Sequence, residues 1–289
     1  MPGPTAEVPV RVRPPWLRLR EPADAAARSP ELVAELRPYL ALEQPVVVHD
    51  LGCGTGSMGR WLAPQLDGPQ HWVLHDRDPD LLAHAAAALP VGSADGHVVT
   101  VETRLDDITR LGVDDLLGAS LLTASALLDM MAAEELDRFV ATCAAAGCPV
   151  LVTISVVGRV ELTPSDPLDD VVTEAFNDHQ RRTTGGRRLL GPDAVTYAAD
   201  AFERLGLEVV VHPSPWNLGP DETALTMEWL TGWVGAACEQ RPDLVAATAD
   251  YTPRRLAAAA MGRLGVTLHH LDLLALPLTT PPTPSSRTH

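Results

Sequence analysis

The chain has 289 residues, with 22 lysines and arginines against 38 aspartates and glutamates, a formal net charge of -16, and 46% hydrophobic residues. The apolar fraction is ample for a buried core. The negative charge, with no run of more than two adjacent arginines, argues against nucleic acid as a partner, because such proteins present basic surfaces to phosphate. No stretch of eighteen apolar residues and no signal-peptide pattern occurs, so we expect a cytoplasmic protein without a membrane partner.

Residues 1–43 form an N-terminal segment. Its first twenty residues are broken by proline, and a helix is predicted from about Pro22 to Leu42. At the other end, residues 279–289 read as a Pro/Ser/Thr tail with no packing face, for which we expect disorder.

A glycine-rich loop follows the first predicted strand in the run VVVHDLGCGTGSMGRWL, which starts at residue 46. A helix that begins near Ser57 directs its free N–H groups at any ligand there. Read from Gly54, GTGSMG fits the dinucleotide pattern G-x-G-x-x-G, with Asp76 near the spacing of a ribose-binding acid. Read from Asp50, the loop is D-x-G-x-G-x-G, and this acid suits a cation but repels a pyrophosphate. The glycines are Gly52, Gly54 and Gly56.

The second pattern resembles motif I of the class I S-adenosylmethionine-dependent methyltransferases. The resemblance covers roughly residues 44 to 160 with motifs in register. It implies an α/β fold with a Rossmann-like, seven-stranded, mostly parallel sheet in the order 3-2-1-4-5-7-6, strand 7 antiparallel, and helices on both faces. It also implies S-adenosylmethionine as the cofactor, which carries an ammonium and a sulfonium but no phosphate.

Polar residues at successive strand ends extend this resemblance. It implies that Asp76 bonds the ribose hydroxyls, that either Asp106 or Asp107 contacts the adenine amine, and that the segment from Ser125 faces cofactor and substrate. Each acid has a plainer interpretation as a turn residue or helix N-cap. Their joint placement favours a site, because the carboxyl ends of neighbouring parallel strands converge on one crevice.

In this family an N-terminal helix often covers the cofactor, and Arg28 is the candidate to pair with its methionine carboxylate. A solvated amphipathic helix is the alternative. We therefore divide the chain into a covering segment, residues 1–43, a methyltransferase domain, residues 44–278, and the tail. Within the domain, insertions of about 160–190 and 214–263 leave the cofactor side of the sheet and are predicted to form a helical lid.

Two residues are candidates for a catalytic base, which methyl transfer needs only when the acceptor is protonated. Asp129 follows the fourth predicted strand, where the family often places a residue that reaches the substrate, and His179 lies in the first insertion. No metal site is expected, because His269 and His270 point to opposite faces of a predicted strand.

The leading hypothesis is an S-adenosylmethionine-dependent methyltransferase that acts on an oxygen or nitrogen atom of a small metabolite. A methyltransferase for protein or nucleic acid, and a cofactor-binding protein without methyl transfer, remain as alternatives. The sequence does not identify the acceptor or the oligomeric state.

Overall fold

The computed structural model describes residues 13–40, 45–89 and 92–278. The predicted tail, residues 279–289, lies outside the described residues. Within these ranges the helices are α1 Pro14–Ala27, α2 Pro30–Leu36, α3 Ser57–Leu62, α4 Pro79–Ala88, α5 Ala133–Ala145, α6 Leu168–Gln180, α7 Ala194–Arg204, α8 Thr223–Gln240 and α9 Leu244–Ala260. The strands are β1 Val46–Leu51, β2 Gln70–Asp76, β3 Val99–Leu105, β4 Leu121–Ser125, β5 Val150–Thr163, β6 Thr183–Thr184, β7 Arg187–Arg188, β8 Leu207–Pro213, β9 Trp216–Leu218 and β10 Gly265–Pro277.

One mixed sheet organises the chain, in the order β3-β2-β1-β4-β5-β10-β8, and β9 pairs with β10. Strands β1 to β5 are parallel, whereas β10 is antiparallel to both β5 and β8. With β8 and β10 as the sixth and seventh predicted strands, the predicted fold class and strand order are confirmed. The sheet has one more strand than predicted, because β9, at the start of the second insertion, pairs with the start of β10.

Strand β5 is longer than predicted. The apolar run suggests an end near Val157, but the strand continues to Thr163, where it pairs with Gly265 at the start of β10. The antiparallel partner extends β5 beyond its parallel neighbour β4, so the first insertion begins after Thr163 rather than near residue 160.

Helices cover both faces of the sheet, as predicted. On one face α2, α3 and α4 bury their leucines against β1 and β2, and on the other α5 and α7 pack against β4, β5 and β10. A third apolar cluster belongs to α6, α8 and α9 with β9 and the first half of β10. The insertions therefore have a core of their own, beside the carboxyl-end half of β5.

The N-terminal helix differs from its prediction. Instead of one helix over 22–42, α1 ends at Ala27 and α2 begins at Pro30. The helix breaks at Ser29 because a residue that precedes proline disfavours the helical conformation. Ser29 is extended there, and its side chain accepts a hydrogen bond from the Leu32 N–H as an N-cap. Apolar residues of α1 pack against the third cluster, so this helix contacts the insertions.

None of the helices in the described ranges combines the length and the apolar character that a membrane-crossing helix requires.

Candidate functional site

Asp50 lies near the end of β1 and is 1% exposed. Its Oδ1 accepts a hydrogen bond of 2.8 Å from the Thr123 hydroxyl on β4, whereas its Oδ2 has no hydrogen-bond partner among the described residues. Burial raises the pKa of this carboxyl to about 6, against the lowering effects of Thr123 and of the Arg28 charge. A buried carboxylate oxygen without a donor is costly, so this oxygen is suited to receive one from a ligand.

The glycine loop begins directly after β1 and has left-handed backbone at all three glycines. At Gly56, where φ is 81°, a Cβ would lie 3.1 Å from the Ala85 Cβ and 3.2 Å from its Cα. The loop thus requires glycine both for conformation and for the close approach of α4. Helix α3, which starts at Ser57, has only six residues, so the helix dipole expected here is weak.

Asp76 closes this loop from the neighbouring strand β2. Its Oδ2 accepts a hydrogen bond of 2.9 Å from the Gly54 N–H, and its Oδ1 accepts one of 2.9 Å from the Asp78 N–H. The carboxylate is 8% exposed. Asp76 therefore orders the loop itself, a role that its strand-end position alone does not reveal.

The two acids that follow β3 have different surroundings. Asp107 caps a turn: its Oδ1 accepts bonds from the Thr109 N–H and hydroxyl, and it pairs with Arg110 at 3.4 Å. Asp106 instead accepts a bond of 3.1 Å from the ring of His75, and its own N–H donates to the Asp76 carbonyl. Asp106 is thus the acid coupled to the neighbouring strand end.

Arg28 follows α1 and is 2% exposed. Its guanidinium donates to the hydroxyls of Ser57, Ser125 and Thr153 at 3.1 to 3.3 Å, and to the Ser57 carbonyl at 3.3 Å. No carboxylate of the described residues forms an ion pair with it, although three act on it at longer range. Burial lowers its pKa, and those carboxylates raise it; they are Asp24, Asp272 and Asp50.

Two residues next to the hydroxyls that hold Arg28 have left-handed backbone. Ala126, directly after β4, and Ile154, within β5, have φ values of 51° and 56°, a conformation that side chains other than glycine disfavour. The Ala126 N–H donates to the Thr153 carbonyl, and the Ile154 N–H donates to Asp272 over 2.7 Å. Ala126 and Ile154 directly follow Ser125 and Thr153, whose hydroxyls bind Arg28 and each other.

Asp129 lies in a turn after β4 and is half-buried. Burial raises its pKa to about 6, against the lowering effects of its own backbone and of the charges of Arg20 and Arg182. Arg20 comes from α1 and Arg182 follows α6, so charges from the N-terminal helix and from the first insertion both act on Asp129. A carboxyl with this pKa can exchange a proton near neutral pH.

His179 is the other catalytic candidate, and it has a partner within the insertions. Its Nε2 lies 3.2 Å from Glu239 of α8, and its Nδ1 is 3.4 Å from Arg182. Burial lowers its pKa, with Arg182 acting in the same direction.

The structure brings most predicted cofactor residues to one edge of the sheet. They are Arg28, Asp50, Gly52, Gly54, Gly56, Asp76, Asp106 and Ser125. Asp107 is held apart in its own turn, and His179 lies on the contact between α6 and α8. Sequence reasoning missed Ser57, Thr123, Thr153 and His75. The last three are polar residues inside apolar strands, which was the signal available, and Ser57 stands directly after the glycine loop.

No family model matches the chain. A biotin biosynthesis bifunctional protein, BioCD of Bordetella avium, is 40% identical over 72 residues, which are 25% of this chain and only 15% of that protein.

Solved structures match over most of the chain. A cyclopropane synthase, MmaA2 of Mycobacterium tuberculosis, is 13% identical with a TM-score of 0.48, over 91% of this chain and 94% of that one. Magnesium protoporphyrin IX methyltransferase of Synechocystis PCC 6803, with bound S-adenosylhomocysteine, is 14% identical with a TM-score of 0.43, over 72% and 84%. A methyltransferase of Geobacter sulfurreducens, in complex with the same compound, is 19% identical with a TM-score of 0.40, over 90% and 98%.

In its glycine loop the chain resembles the class I S-adenosylmethionine-dependent methyltransferases. Two of the solved structures named above hold S-adenosylhomocysteine. Because these solved structures are only 13 to 19% identical to the chain, with TM-scores from 0.40 to 0.48, the roles of the individual residues rest on the geometry described above.

Proposed function

We propose that this chain is an S-adenosylmethionine-dependent methyltransferase that acts on a small-molecule acceptor. The observation that carries the proposal is the pair of buried charged side chains Arg28 and Asp50. Among the described residues, each of them lacks part of the binding partners that a buried charge requires. Arg28 has hydroxyl partners but no ion pair among the described residues, and Asp50 has one oxygen without a donor there.

These two charges suit an amino-acid zwitterion. The guanidinium of Arg28 is a ligand for an α-carboxylate, and the free oxygen of Asp50 is an acceptor for an α-ammonium. A dinucleotide would place pyrophosphate near Asp50, where like charges repel in a site with little water. The site therefore favours S-adenosylmethionine over a nicotinamide cofactor, and Asp76 and Asp106 are suited to its ribose and adenine.

The acceptor side of the site is formed by α1, the turn after β4 and the first insertion. The bound cofactor supplies an electrophilic methyl group on a sulfonium, which an acceptor attacks in line with the sulfur. Asp129 is the proposed base, because its raised pKa allows it to take a proton from a hydroxyl or ammonium acceptor. Arg20 and Arg182 place positive charge near Asp129, which orients a polar acceptor.

The remaining assignments follow from this proposal. His179, held by Glu239, is a second candidate base that we place in the lid. We propose a covering segment over 1–43, a methyltransferase domain over 44–278 with its insertions as the lid, and a small metabolite in the cytoplasm as acceptor. The net charge of -16 favours this acceptor over nucleic acid.

Calorimetry on the full chain tests the cofactor assignment. S-adenosylhomocysteine should bind, NAD should not, and adenosine, which lacks the amino acid, should bind about 100-fold more weakly than S-adenosylhomocysteine. Arg28→Gln should remove most of the difference in affinity between S-adenosylhomocysteine and adenosine. Arg37→Gln, at a surface arginine that bonds the Gln65 carbonyl, is the matched control and should change nothing. Binding of NAD alone would refute the proposal.

Transfer of a labelled methyl group tests the activity. The chain is incubated with labelled S-adenosylmethionine and a cell extract separated into metabolites, protein and nucleic acid. Label in the metabolite fraction is the expected result. Label confined to protein or nucleic acid would contradict the proposed acceptor class, and no label in any fraction above that of a sample without the protein would contradict methyl transfer.

A further inference from the structure

Two histidines lie side by side inside the sheet. His49 on β1 and His75 on β2 are 2% and 0% exposed, and their rings stack at a centroid distance of 5.2 Å. The Nδ1 of His49 lies 3.0 Å from the Nε2 of His75, and the Nδ1 of His75 lies 3.1 Å from Oδ2 of Asp106. An unbroken chain of hydrogen bonds thus runs from the interior of the sheet to the carboxyl end of β3.

Only one arrangement of protons satisfies this chain. The carboxylate of Asp106 can only accept, so Nδ1 of His75 carries the proton and its Nε2 accepts. Nδ1 of His49 must then donate to that Nε2. Burial, together with the charges of His75 and Arg104, lowers the pKa of His49 to about 4, and burial lowers the pKa of His75 as well, so both rings are neutral.

The hydrogen-bond chain begins in the core and ends on a residue that a ligand can reach. The Asp106 side chain is 38% exposed, whereas the two histidines are enclosed by apolar residues of the sheet face that α5 and α7 cover. If the two histidines served only to satisfy each other's hydrogen bonds in the core, they would need no carboxylate at the crevice. Here His75 holds Oδ2 and thereby sets the plane in which the second oxygen, Oδ1, is presented.

We propose that His75, oriented by His49, positions Asp106 so that the cofactor site selects a base with an exocyclic amine. The proposal rests on the proposed function, since Asp106 is the acid suited to adenine. His75 is a positioning residue: it does not touch the base, and it acts by restricting the carboxylate that does. A hydrogen bond to a restricted carboxylate discriminates more strongly than one to a carboxylate that rotates freely.

The test is a ratio of dissociation constants measured by calorimetry on the full chain. The two probes are S-adenosylhomocysteine and its 6-deamino analogue, in which hydrogen replaces the exocyclic amine. The wild type should prefer S-adenosylhomocysteine, and His75→Phe should lower that preference about tenfold, as should Asp106→Ala. His75→Gln, which keeps a donor toward Asp106, should retain part of the preference.

His71→Phe is the matched control, because His71 lies on the same strand and the same side of the sheet, but bonds Thr100 at the opposite end. It should leave the ratio unchanged. If His75→Phe lowers both affinities equally, or neither, the positioning role is overturned while the proposed function stands. If the wild type binds neither probe, the proposed function itself fails, and this inference fails with it.

Nitrogen-15 spectra of the wild-type histidines provide a second measurement that needs no substitution. At neutral pH we expect His49 and His75 to be neutral with the proton on Nδ1, and S-adenosylhomocysteine to shift the His75 Nδ1 signal but not that of His71. A proton on Nε2 of His75, or a cofactor that leaves its signal unmoved, would overturn the proposal.

Discussion

The indole N–H of Trp216 donates a hydrogen bond of 3.0 Å to Oδ1 of Asp24, across 192 positions of the sequence. The same carboxylate accepts two bonds from Arg20 at 2.9 and 3.0 Å, and the Arg20 guanidinium lies 5.0 Å from the centre of the Trp216 ring. Trp216 belongs to β9 and Asp24 to α1. The covering helix and the second insertion are therefore joined by one buried polar contact.

Removing this contact should loosen the cover. Trp216→Phe keeps the ring and deletes the donor, so we expect S-adenosylhomocysteine to dissociate about tenfold faster, because a buried acceptor loses a partner. Stopped-flow fluorescence measures the rate. Trp233→Phe is the matched control: this buried indole in α8 has no hydrogen-bond partner among the described residues. Equal rates in wild type and Trp216→Phe would show that the contact does not hold the cover.

Protonation of Asp129 should cause the loss of activity at low pH. A base must be unprotonated, and burial raises the pKa of this carboxyl to about 6, so kcat/KM for the acceptor should fall as pH drops through about 6. If Asp50 binds the cofactor ammonium as proposed, saturating cofactor keeps Asp50 ionised, so Asp50 does not add a second step. Asp129→Asn should lower kcat/KM about 100-fold or more and abolish the step. If His179→Gln removes the step instead, the base is His179.

Asp76 should affect both loop order and cofactor binding. Asp76→Ala deletes the acceptor of the Gly54 and Asp78 N–H groups, so we expect it to lower the free energy of unfolding by roughly 1 to 3 kcal/mol and to weaken binding of S-adenosylhomocysteine by about 2 to 4 kcal/mol. Urea unfolding measures the free energy of unfolding, and calorimetry measures the binding of S-adenosylhomocysteine. Asp95→Ala, which removes the acceptor of the Gly68 N–H elsewhere, should leave binding unchanged. Unchanged affinity in Asp76→Ala would exclude Asp76 from the site.

Gly56 should tolerate no side chain. Gly56→Ala has the cost of a left-handed backbone, about 1 kcal/mol, and in addition crowds Ala85, for a total of about 2 to 4 kcal/mol of unfolding free energy. Gly118→Ala is a close control, because Gly118 has the same φ of 81° and nothing within 4 Å of the added Cβ. Equal losses in the two variants would show that close packing against α4 is not the constraint.

Local patterns predicted the fold well. The apolar strand runs, the proline at the start of α4 and the glycine loop depend on neighbouring residues, and the structure has strands, a helix and a loop at these places. The predictions were wrong where pairing with a strand distant in the sequence decides where a strand forms or ends. Strand β5 continues because β10 lies beside it, and β9 is a strand only because β10 offers it an edge.

The site was predicted less completely. Asp50, Asp76 and the glycines follow from a contiguous motif and from strand ends. The hydroxyls of Thr123 and Thr153 and the ring of His75 are single polar residues in apolar runs, and nothing local distinguishes a ligand-facing position from a satisfied core position.

By itself, the sequence determined the order of the elements and the loop that fits an S-adenosyl cofactor, since backbone conformation and face alternation are encoded over a few residues. The tertiary structure decided which charges are left incompletely paired. Arg28 and Asp50 are far apart in the chain, and their burial and their missing partners depend on strands and helices contributed from the whole sheet. Desolvation is a property of the packed surroundings, and no local pattern contains it.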